Sequence, residues 1–467
     1  MRRHPVLLLA LMAVSLWAAR GFADEAARPL RIATFQADVT PPLGAPLCHG
    51  NVRPAERIVD PLSARGIILL ADGPPIVLCA VDWVGIGNAA HDAFRRELAE
   101  AVGTSPDRVC VHVAHQHDTP GIDFSTEELL AAHGLGGKMF DVAVAHEAIG
   151  RVAQAAGEAA RKPQPVTHVG CGTAKVDQVA SSRRVLGPDG KVQYVRFSSC
   201  RNEKAIEAPE GTIDPYLRVL SFWDGDRPLV AINYYACHPQ SYYGQGGVSY
   251  DFVGMARGAR EAALPGVFQV YFNGAGGNVG CGKYNNGAKE NRPVLAKRLE
   301  AGMKAAWEAT EKTPVTAADV SWRVCPVGLP VSPRISEEGA RRTLEDAKVS
   351  VRERMHAARD LVFLRRMQSG HKIPLACLEI GPASVVHMPG ELFVEYQLAA
   401  QAMRPDRSVF MAAYGDAGPT YIGTKIAYSQ GGYEPTRSRV APEVEAVLLA
   451  ALRELLAAEK KGTKEGD

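Results

Sequence analysis

The sequence contains no Cys-x-x-Cys pair, although nine cysteines are scattered over its 467 residues. Zinc sites built from thiolate pairs and thioredoxin-like redox motifs need closely spaced cysteines, so neither is expected. The odd count leaves at least one thiol unpaired within a single chain. The spacing is compatible with one or two disulfides but indicates no pairing, and Cys79 and Cys110 lie in apolar runs typical of small buried residues.

Long apolar runs are also lacking, because no stretch after the N-terminus approaches 18 uninterrupted apolar residues, and no transmembrane helix is expected. The N-terminus has Arg2 and Arg3, then an apolar run over residues 6–18, then small residues ending at Ala23. This order is typical of a cleaved secretory signal peptide over residues 1–23, with an uncleaved anchor as the alternative. We therefore expect an exported protein, periplasmic or secreted.

Charge of one sign is not in excess, since 53 basic residues stand against 51 acidic ones, a net charge of +2. The predicted signal peptide holds Arg2, Arg3 and Arg20 and no acid, so its removal leaves 50 basic and 51 acidic residues, a net charge of −1. Nucleic-acid binding needs an excess of cations to neutralise phosphates. A nucleic-acid partner is therefore not expected.

No internal repeat and no long Pro- or Ser-rich linker is visible, which favours one large domain, predicted over residues 24–460 with a charged tail over 461–467. Short β-rich runs alternate with helical runs, as in an α/β fold with a central mixed β-sheet flanked by helices. The stretch 336–368 is charged and periodic and is predicted to be a helix or helical hairpin added to the surface.

Several single elements are also predicted. Residues 67–81 are predicted to form a hairpin that turns at an Asp-Gly-Pro-Pro segment. Helices are predicted over 89–102 and 253–264, and a single strand over 378–387.

Histidines collect where predicted strands end, the place where open α/β sheets position their sites. His115 and His117 follow a strand predicted over 108–113, and an extended backbone points side chains two residues apart to one side. Neutral imidazole is a favoured zinc ligand, so this pair is a candidate metal site, with two surface histidines as the alternative. His112 faces the other way and is predicted to be structural. His238 ends another apolar strand and is either a ligand or a core histidine.

Three more segments carry candidate site residues. Glu391 follows an apolar strand and a Pro-Gly pair, and either binds a ligand or interacts with a helix dipole. The Gly- and Tyr-rich loop over 412–434 is predicted to bind a ligand rather than to fill a core. Residues 277–283 match the spacing of a phosphate-binding loop, but Tyr284 stands where a hydroxyl for Mg²⁺ is needed. We reject a nucleotide site there and expect the glycines to let the backbone approach a substrate.

Taken in order, these segments resemble the catalytic domain of the neutral/alkaline non-lysosomal ceramidase family. The resemblance covers roughly residues 30–440, and the ordered set carries it rather than any single motif. The matching segments are Ala37-Asp38-Val39-Thr40-Pro41, Leu62-Ser63-Ala64-Arg65-Gly66, His115-Gln116-His117-Asp118-Thr119-Pro120-Gly121, Tyr235-Ala236-Cys237-His238-Pro239-Gln240-Ser241, Pro389-Gly390-Glu391, and Tyr421-Ile422-Gly423-Thr424 running on to Tyr433-Glu434.

The resemblance implies one zinc ion held by two histidines, a glutamate and a tyrosine. By position these ligands are His115, His238, Glu391 and Tyr421. It also implies that His117 handles protons without binding the metal. The family's arginine near the substrate carbonyl corresponds to Arg183, with Arg184 as the other candidate, and the tyrosine that polarises this carbonyl corresponds to Tyr433. Whether a second, structural calcium or magnesium ion is bound stays open.

The sequence differs from the family pattern at Gly280, where the family has a serine associated with catalysis, and at Asn278, where it has an aspartate. Asp118 and Thr119 replace the usual Ser-Gly pair. The implied function is an exported zinc-dependent hydrolase that uses zinc-activated water to cleave an amide in an N-acyl sphingoid or related small-molecule or lipid-like substrate. The alternative is an exported metal-containing binding protein without catalysis. A metal-free serine hydrolase is not favoured, because no Gly-x-Ser-x-Gly motif is present.

Overall fold

The structure is a computed structural model that describes residues 28–457. The predicted signal peptide over 1–23 and the charged tail over 461–467 lie outside these residues and stay predictions. Across residues 28–457, no helix combines the length and the apolar composition that crossing a bilayer requires.

Twelve α-helices lie within the described residues. They are α1 (Asn88–Val102), α2 (Phe124–Ala132), α3 (Val142–Ala159), α4 (Glu203–Glu207), α5 (Asp251–Ala263), α6 (Asn291–Glu308), α7 (Glu337–Glu345), α8 (Val351–Gln368), α9 (Val394–Met403), α10 (Lys425–Gln430), α11 (Tyr433–Arg437) and α12 (Val444–Leu455).

The same residues form 24 strands. They are β1 (Leu30–Asp38), β2 (Arg57–Ile58), β3 (Ser63–Leu70), β4 (Ile76–Val81), β5 (Gly85–Ile86), β6 (Val109–Val113), β7 (Gly121–Ile122), β8 (Gln164–Val166), β9 (His168–Lys175), β10 (Ser181–Ser182), β11 (Arg184–Leu186), β12 (Val192–Val195), β13 (Tyr216–Asp224), β14 (Arg227–Tyr235), β15 (Gly247–Val248), β16 (Phe268–Asn273), β17 (Val279–Gly280), β18 (Glu311–Pro314), β19 (Val320–Val327), β20 (Ile373–Ile380), β21 (Ala383–His387), β22 (Glu391–Leu392), β23 (Ser408–Ala412) and β24 (Tyr421–Ile422).

One strand arrangement occurs three times along the chain. In each case three strands pair antiparallel in sequence, and a helix then carries the chain to a fourth strand parallel to the third, since a parallel connection needs such a crossover. The three sheets are β1-β3-β4-β6 with α1, β9-β13-β14-β16 with α5, and β19-β20-β21-β23 with α9. Strands β8 and β18 add an antiparallel edge to the first two sheets.

The three sheets pack around a shared apolar core. One buried cluster contains Leu78 of the first sheet, Tyr234 and Phe272 of the second and Phe410 of the third. The Tyr234 ring lies 5.2 Å from the Phe410 ring of the neighbouring sheet. Helices α3, α6 and α12 pack on the three sheets in turn. The predicted α/β class with mixed sheets flanked by helices is confirmed, although three sheets share the centre that we assigned to one.

The single strand predicted over 378–387 is a hairpin of β20 and β21. Gly381, with φ of +50°, and Pro382 make the turn between them. The apolar residues on both sides of this two-residue turn continue the same pattern, so periodicity alone does not reveal it. The hairpin predicted over 67–81 is present as β3 and β4.

The stretch 336–368 forms the helical hairpin of α7 and α8. It is more than a surface addition, because Met355, Ala358 and Phe363 of α8 are buried in the main core. All nine cysteines are free, so no disulfide forms. The sulfurs of Cys237 and Cys281 lie 3.7 Å apart, which is a hydrogen-bond distance.

A buried ion pair joins the end of β4 in the first sheet to α5, the crossover helix of the second sheet. The guanidinium of Arg257 in α5 donates to both carboxylate oxygens of Asp82, each at 2.8 Å. Asp82 follows β4 and also accepts hydrogen bonds from Ser63 and from the side chain of Gln116. Because Gln116 lies between His115 and His117, this ion pair anchors the histidine motif to helix α5.

Asp82→Asn should lower the free energy of unfolding by about 3–5 kcal/mol, because Arg257 would stay buried without a charged partner. Burial alone would raise the pKa of Asp82, but the charge and hydrogen bonds of Arg257 and Ser63 outweigh burial and hold this pKa below its usual value. The stabilisation is therefore complete above about pH 4 and is lost as the pH falls through the lowered pKa. Urea unfolding of the unaltered protein and of Asp82→Asn, at pH values above and below about 4, measures the effect.

The matched control is Asp226→Asn, which removes an exposed pair with Lys312. This control should leave the unfolding midpoint nearly unchanged, because exposed ion pairs contribute little. If Asp82→Asn loses no more unfolding free energy than the control, the stabilising role of the Asp82–Arg257 pair is contradicted.

Candidate metal centre

Side chains that follow strands of all three sheets converge at one point. His115 follows β6, His238 follows β14 and Glu391 follows β21, and their candidate ligand atoms lie within 4.8 Å of one another. Oε2 of Glu391 lies 3.1 Å from Nε2 of His238 and 3.5 Å from Nε2 of His115. Each sheet therefore supplies one candidate metal ligand at a strand end.

Hydrogen bonds assign the tautomer of both histidines. Nδ1 of His115 donates to the Val84 carbonyl, and Nδ1 of His238 donates to the Gly276 carbonyl, each at 2.6 Å. Because a carbonyl can only accept, each Nδ1 carries a proton and a neutral imidazole presents its Nε2 lone pair. Burial, followed by the charge of Arg183, lowers the pKa of His238 and favours this neutral form.

The arrangement of these acceptors suits a cation. Burial alone would raise the pKa of Glu391, and only protonated imidazoles of His115 and His238 would outweigh burial and hold this pKa well below its usual value. With the neutral tautomers assigned above, an ionised carboxylate would face imidazole lone pairs, and Nε2 of His115 has no hydrogen-bond partner within residues 28–457. A proton could lie between these groups only by leaving a charged imidazole buried. Two imidazoles and a carboxylate are a ligand set typical of zinc, so the residues fit this ion.

Tyr421 is placed beside this cluster by strand pairing. Strands β22 and β24 are parallel, with Glu391 opposite Tyr421. The Tyr421 hydroxyl lies 3.4 Å from Nε2 of His238, where it could add a fourth ligand atom. The close pairing needs Gly390, which has φ of +62° and whose added Cβ would lie 2.6 Å from the Thr420 carbonyl oxygen.

The glycines of the 277–283 segment serve packing within the protein. A Cβ on Gly277 would lie 2.2 Å from the Glu391 carbonyl oxygen, so this glycine lets two backbone segments of the site approach each other. The expectation that they admit a substrate is therefore corrected at Gly277. Lys283 donates to the carbonyls of Ile206 and Ala208, which agrees with the rejection of a nucleotide site.

Arg183, rather than Arg184, faces the cluster. Its Nη1 lies 3.0 Å from the Tyr421 hydroxyl and 3.2 Å from Nε2 of His238. The Arg184 guanidinium instead pairs with Glu434 at 2.9 Å.

The guanidinium of Arg183 is flanked by three aromatic rings and a carboxylate. The rings of Phe197, Tyr421 and Tyr433 surround it, with centroids 5.4, 5.4 and 5.6 Å from its central carbon. The buried carboxylate of Glu434 lies 3.4 Å from its Nε. Glu434 therefore positions both arginines, a role that sequence reasoning missed. Adjacency to Tyr433 was the one available signal.

Gly280 packs beside this arginine. A Cβ at this position would lie 3.5 Å from Cγ of Arg183 and 3.3 Å from the Phe197 carbonyl oxygen. The adjacent Cys281 is fully buried, and its thiol contacts Cys237 and the His238 carbonyl. Neither residue therefore presents a nucleophile beside the metal ligands.

His117 and Tyr433 line a cavity of 320 Å³ together with His115, Glu391 and Tyr421. The His117 ring lies 5.1 Å from the His115 ring, so the two predicted neighbours do come together. We predicted that an extended backbone would point both rings to one side. The backbone at His115 is not extended, because its φ is +70°, so the two rings come together for another reason.

Backbone strain concentrates around this cavity. Eight non-glycine residues within 28–457 have positive φ. Five of them line the cavity or the adjoining small one, namely Cys48, His49, His115, Tyr414 and Thr420. Such strain typically collects at functional sites.

A second cluster of ligand types contains Cys110, His112 and His387. Nδ1 of His112 donates to the Ala413 carbonyl at 2.8 Å, and its Nε2 lies 3.0 Å from Nδ1 of His387. These bonds agree with the structural role predicted for His112. The cluster has nitrogen and sulfur donors, which do not suit calcium or magnesium.

Two solved structures are similar to this chain over most of its length. The crystal structure of a neutral ceramidase from Pseudomonas aeruginosa is 18% identical with a TM-score of 0.66, and the match covers 92% of this chain and 74% of that chain. A ceramidase complexed with C2 is 17% identical with a TM-score of 0.66, and the match covers 92% and 75%. No family model and no curated protein matches the sequence. The shared fold is therefore shown, while the zinc ion, the reaction and the residue roles stay predictions.

The first prediction for this centre concerns metal content. After loading with Zn²⁺ and desalting, the protein should hold about one zinc ion per chain. His238→Ala should hold at least about 10-fold less under the same conditions, because one of the converging ligands is lost. Mass spectrometry of metal per mole of protein measures both.

His146→Ala is the matched control, because His146 is an exposed histidine of α3. It should retain the full zinc content. Equal zinc in the two variants, or no zinc in the unaltered protein, would rule out this centre.

Proposed function

We propose that this protein is an exported zinc-dependent hydrolase that cleaves an amide bond in a small-molecule or lipid-like N-acyl substrate. The convergence of His115, His238 and Glu391 beside a fixed arginine is the observation that carries this proposal. The fold shared with neutral ceramidases supports the amide as the target. Export rests on the order of residues at the N-terminus.

His115, His238, Glu391 and Tyr421 would hold the zinc ion. When bound, zinc supplies a Lewis acid that polarises a carbonyl and lowers the pKa of a water molecule to about 7. The carbonyls of Val84 and Gly276 keep both imidazoles aimed at this position, as partners of metal-binding histidines commonly do.

Arg183 supplies a permanent positive charge for the transition state. Burial alone would lower the pKa of Arg183, but Tyr421 and Glu434 outweigh burial and raise it above its ordinary value. A fixed cation of this kind stabilises the negative charge that develops on a carbonyl oxygen during amide hydrolysis. Tyr433 lines the cavity that contains His117 and Glu391, and it would offer a hydroxyl to the same oxygen.

His117 is the proton carrier in this proposal. It is half-buried in the cavity wall, and its Nδ1 has no hydrogen-bond partner in the part of the chain that the structure describes. Its imidazole would accept a proton from the attacking water and return it to the leaving nitrogen. Water adds to the carbonyl carbon, the C–N bond breaks, and the products are a carboxylate and an amine.

The competing function is a metal-containing binding protein without catalysis, which the missing serine at Gly280 favours. The proposed reaction needs no serine, because water is the nucleophile. Turnover of N-acyl amines by the zinc-loaded protein separates the two functions. No turnover on any member of the panel would favour the binding protein.

Arg183→Gln should lower kcat by about 10²–10³-fold with unchanged zinc content, because a donor to the developing oxyanion is lost. Steady-state kinetics together with metal analysis test this prediction. Arg161→Gln is the control, since Arg161 is exposed beyond the end of α3. Equal rates for Arg183→Gln and the control would remove Arg183 from the mechanism.

Cys281→Ser should leave the rate nearly unchanged, because the thiol faces Cys237 and the His238 carbonyl rather than the cavity. A serine hydroxyl can donate to the same carbonyl. Collapse of turnover in this variant, with zinc retained, would overturn the zinc-water mechanism.

A further inference from the structure

The cavity beside the metal centre has a cationic wall that amide hydrolysis does not require. Four arginines line this cavity, and Glu391 is the one carboxylate among its lining residues in the described chain. The arginines are Arg352, Arg359, Arg437 and Arg439.

Helix α8 brings half of this wall to the site. Arg352, His356 and Arg359 are spaced by four and three residues, so they share one face of the helix. Met355 and Ala358 of the same helix are buried in the core. The core contacts of α8 therefore fix these cationic residues against the cavity.

Three of the four arginines form no direct ion pair within residues 28–457, although the charges of Asp123 and Asp360 act on Arg359 from further away. The buried Arg439 donates to Asp360 at 2.8 Å, a carboxylate that it shares with Arg334. The side chains of Arg352, Arg359 and Arg437 form no ion pair and no hydrogen bond with any residue of the described chain, although Arg437 lies over an aromatic ring. Glu391 belongs to the metal ligands, so it does not offset their charge.

Arg359 is the most informative of the three. It is half-buried and also lines the small adjoining cavity with His115 and Glu391. Desolvation, followed by the charge of Arg439, lowers the pKa of Arg359 to about 10, so it stays a cation at neutral pH. Burial and all four arginines lower the pKa of His356 to about 3. An unpaired charge in such a place is costly unless a ligand of opposite charge arrives.

The walls do not suit a long acyl chain. Val52 and Val84 are the only aliphatic residues among the described residues that line the cavity. Pockets for apolar ligands are usually lined by mostly apolar side chains. The cavity therefore suits the polar part of a substrate.

We infer that this cavity binds an anionic group of the substrate, a carboxylate, sulfonate or phosphate, with Arg359 as its main partner and the exposed Arg352 and Arg437 adding charge. The substrates would then be acidic N-acyl compounds rather than neutral ones. This inference rests on the proposed hydrolase function.

The test uses short-chain N-acyl derivatives that share one acyl group, namely those of glycine, taurine, phosphoethanolamine and neutral ethanolamine. The zinc-loaded protein should show kcat/KM at least about 10-fold higher for one or more acidic members than for the neutral one, in keeping with charge-assisted hydrogen bonds. The preferred member identifies the anion. Preference for the neutral compound would overturn the inference.

Arg359→Gln should bring the ratio of acidic to neutral kcat/KM towards one, mainly through KM, and Arg359→Lys should keep part of the preference. Arg161→Gln should keep all of it. A merely structural role of Arg359 would lower both rates equally, which contradicts the inference. If only the glycine derivative is preferred, and Arg359→Gln keeps this preference, the substrate carboxylate binds the metal rather than Arg359. That result would also contradict the inference.

Calorimetry distinguishes failure of the hydrolase proposal from failure of the anion-site inference. If no member is hydrolysed, tighter binding of the acidic compounds that weakens at least about 10-fold in Arg359→Gln would still support the anion site. Equal binding of acidic and neutral compounds would refute it. If Arg359→Gln does not fold, the exposed pair Arg352→Gln and Arg437→Gln replaces it, with a several-fold loss of the preference expected.

Discussion

Mutual repulsion between the Glu391 carboxylate and two imidazole lone pairs is the constraint on which the rest of the site depends. The groups stay together because each one follows a strand of a different sheet and the sheets share one core. The Val84 and Gly276 carbonyls then prevent His115 and His238 from turning their protons towards the carboxylate. Packing and hydrogen bonding thus hold a negative site that a divalent cation would stabilise.

Two arginines near this site differ in whether neighbouring side chains pair with their charge. Arg183 is enclosed by aromatic rings and paired with Glu434, so its position and its charge are both fixed. Arg359 has no such partner within residues 28–457, so its charge is available to a ligand. The first arrangement suits stabilisation of a transition state, and the second suits recognition of a substrate anion.

Sequence reasoning performed best where the signal was local. The 67–81 hairpin was predictable from a turn segment between apolar runs, and the residues placed at strand ends, among them His115, His238 and Glu391, do meet. Prediction from the sequence was wrong where one residue pattern is compatible with two backbone conformations. The apolar run over 378–387 conceals a turn at Gly381, and the spacing of His115 and His117 implied an extended backbone that φ of +70° excludes.

The sequence by itself determined the α/β class, several of the longer helices and strands, and the residue types at the candidate metal centre, because periodicity, turn residues and strand-end histidines are local features of the chain. Only the tertiary structure decided that three sheets replace one, that Arg183 rather than Arg184 faces the ligands, and that α8 lines the cavity. These outcomes depend on contacts such as that of Arg184 with Glu434, which join residues 250 positions apart. No local pattern encodes which distant residues become neighbours.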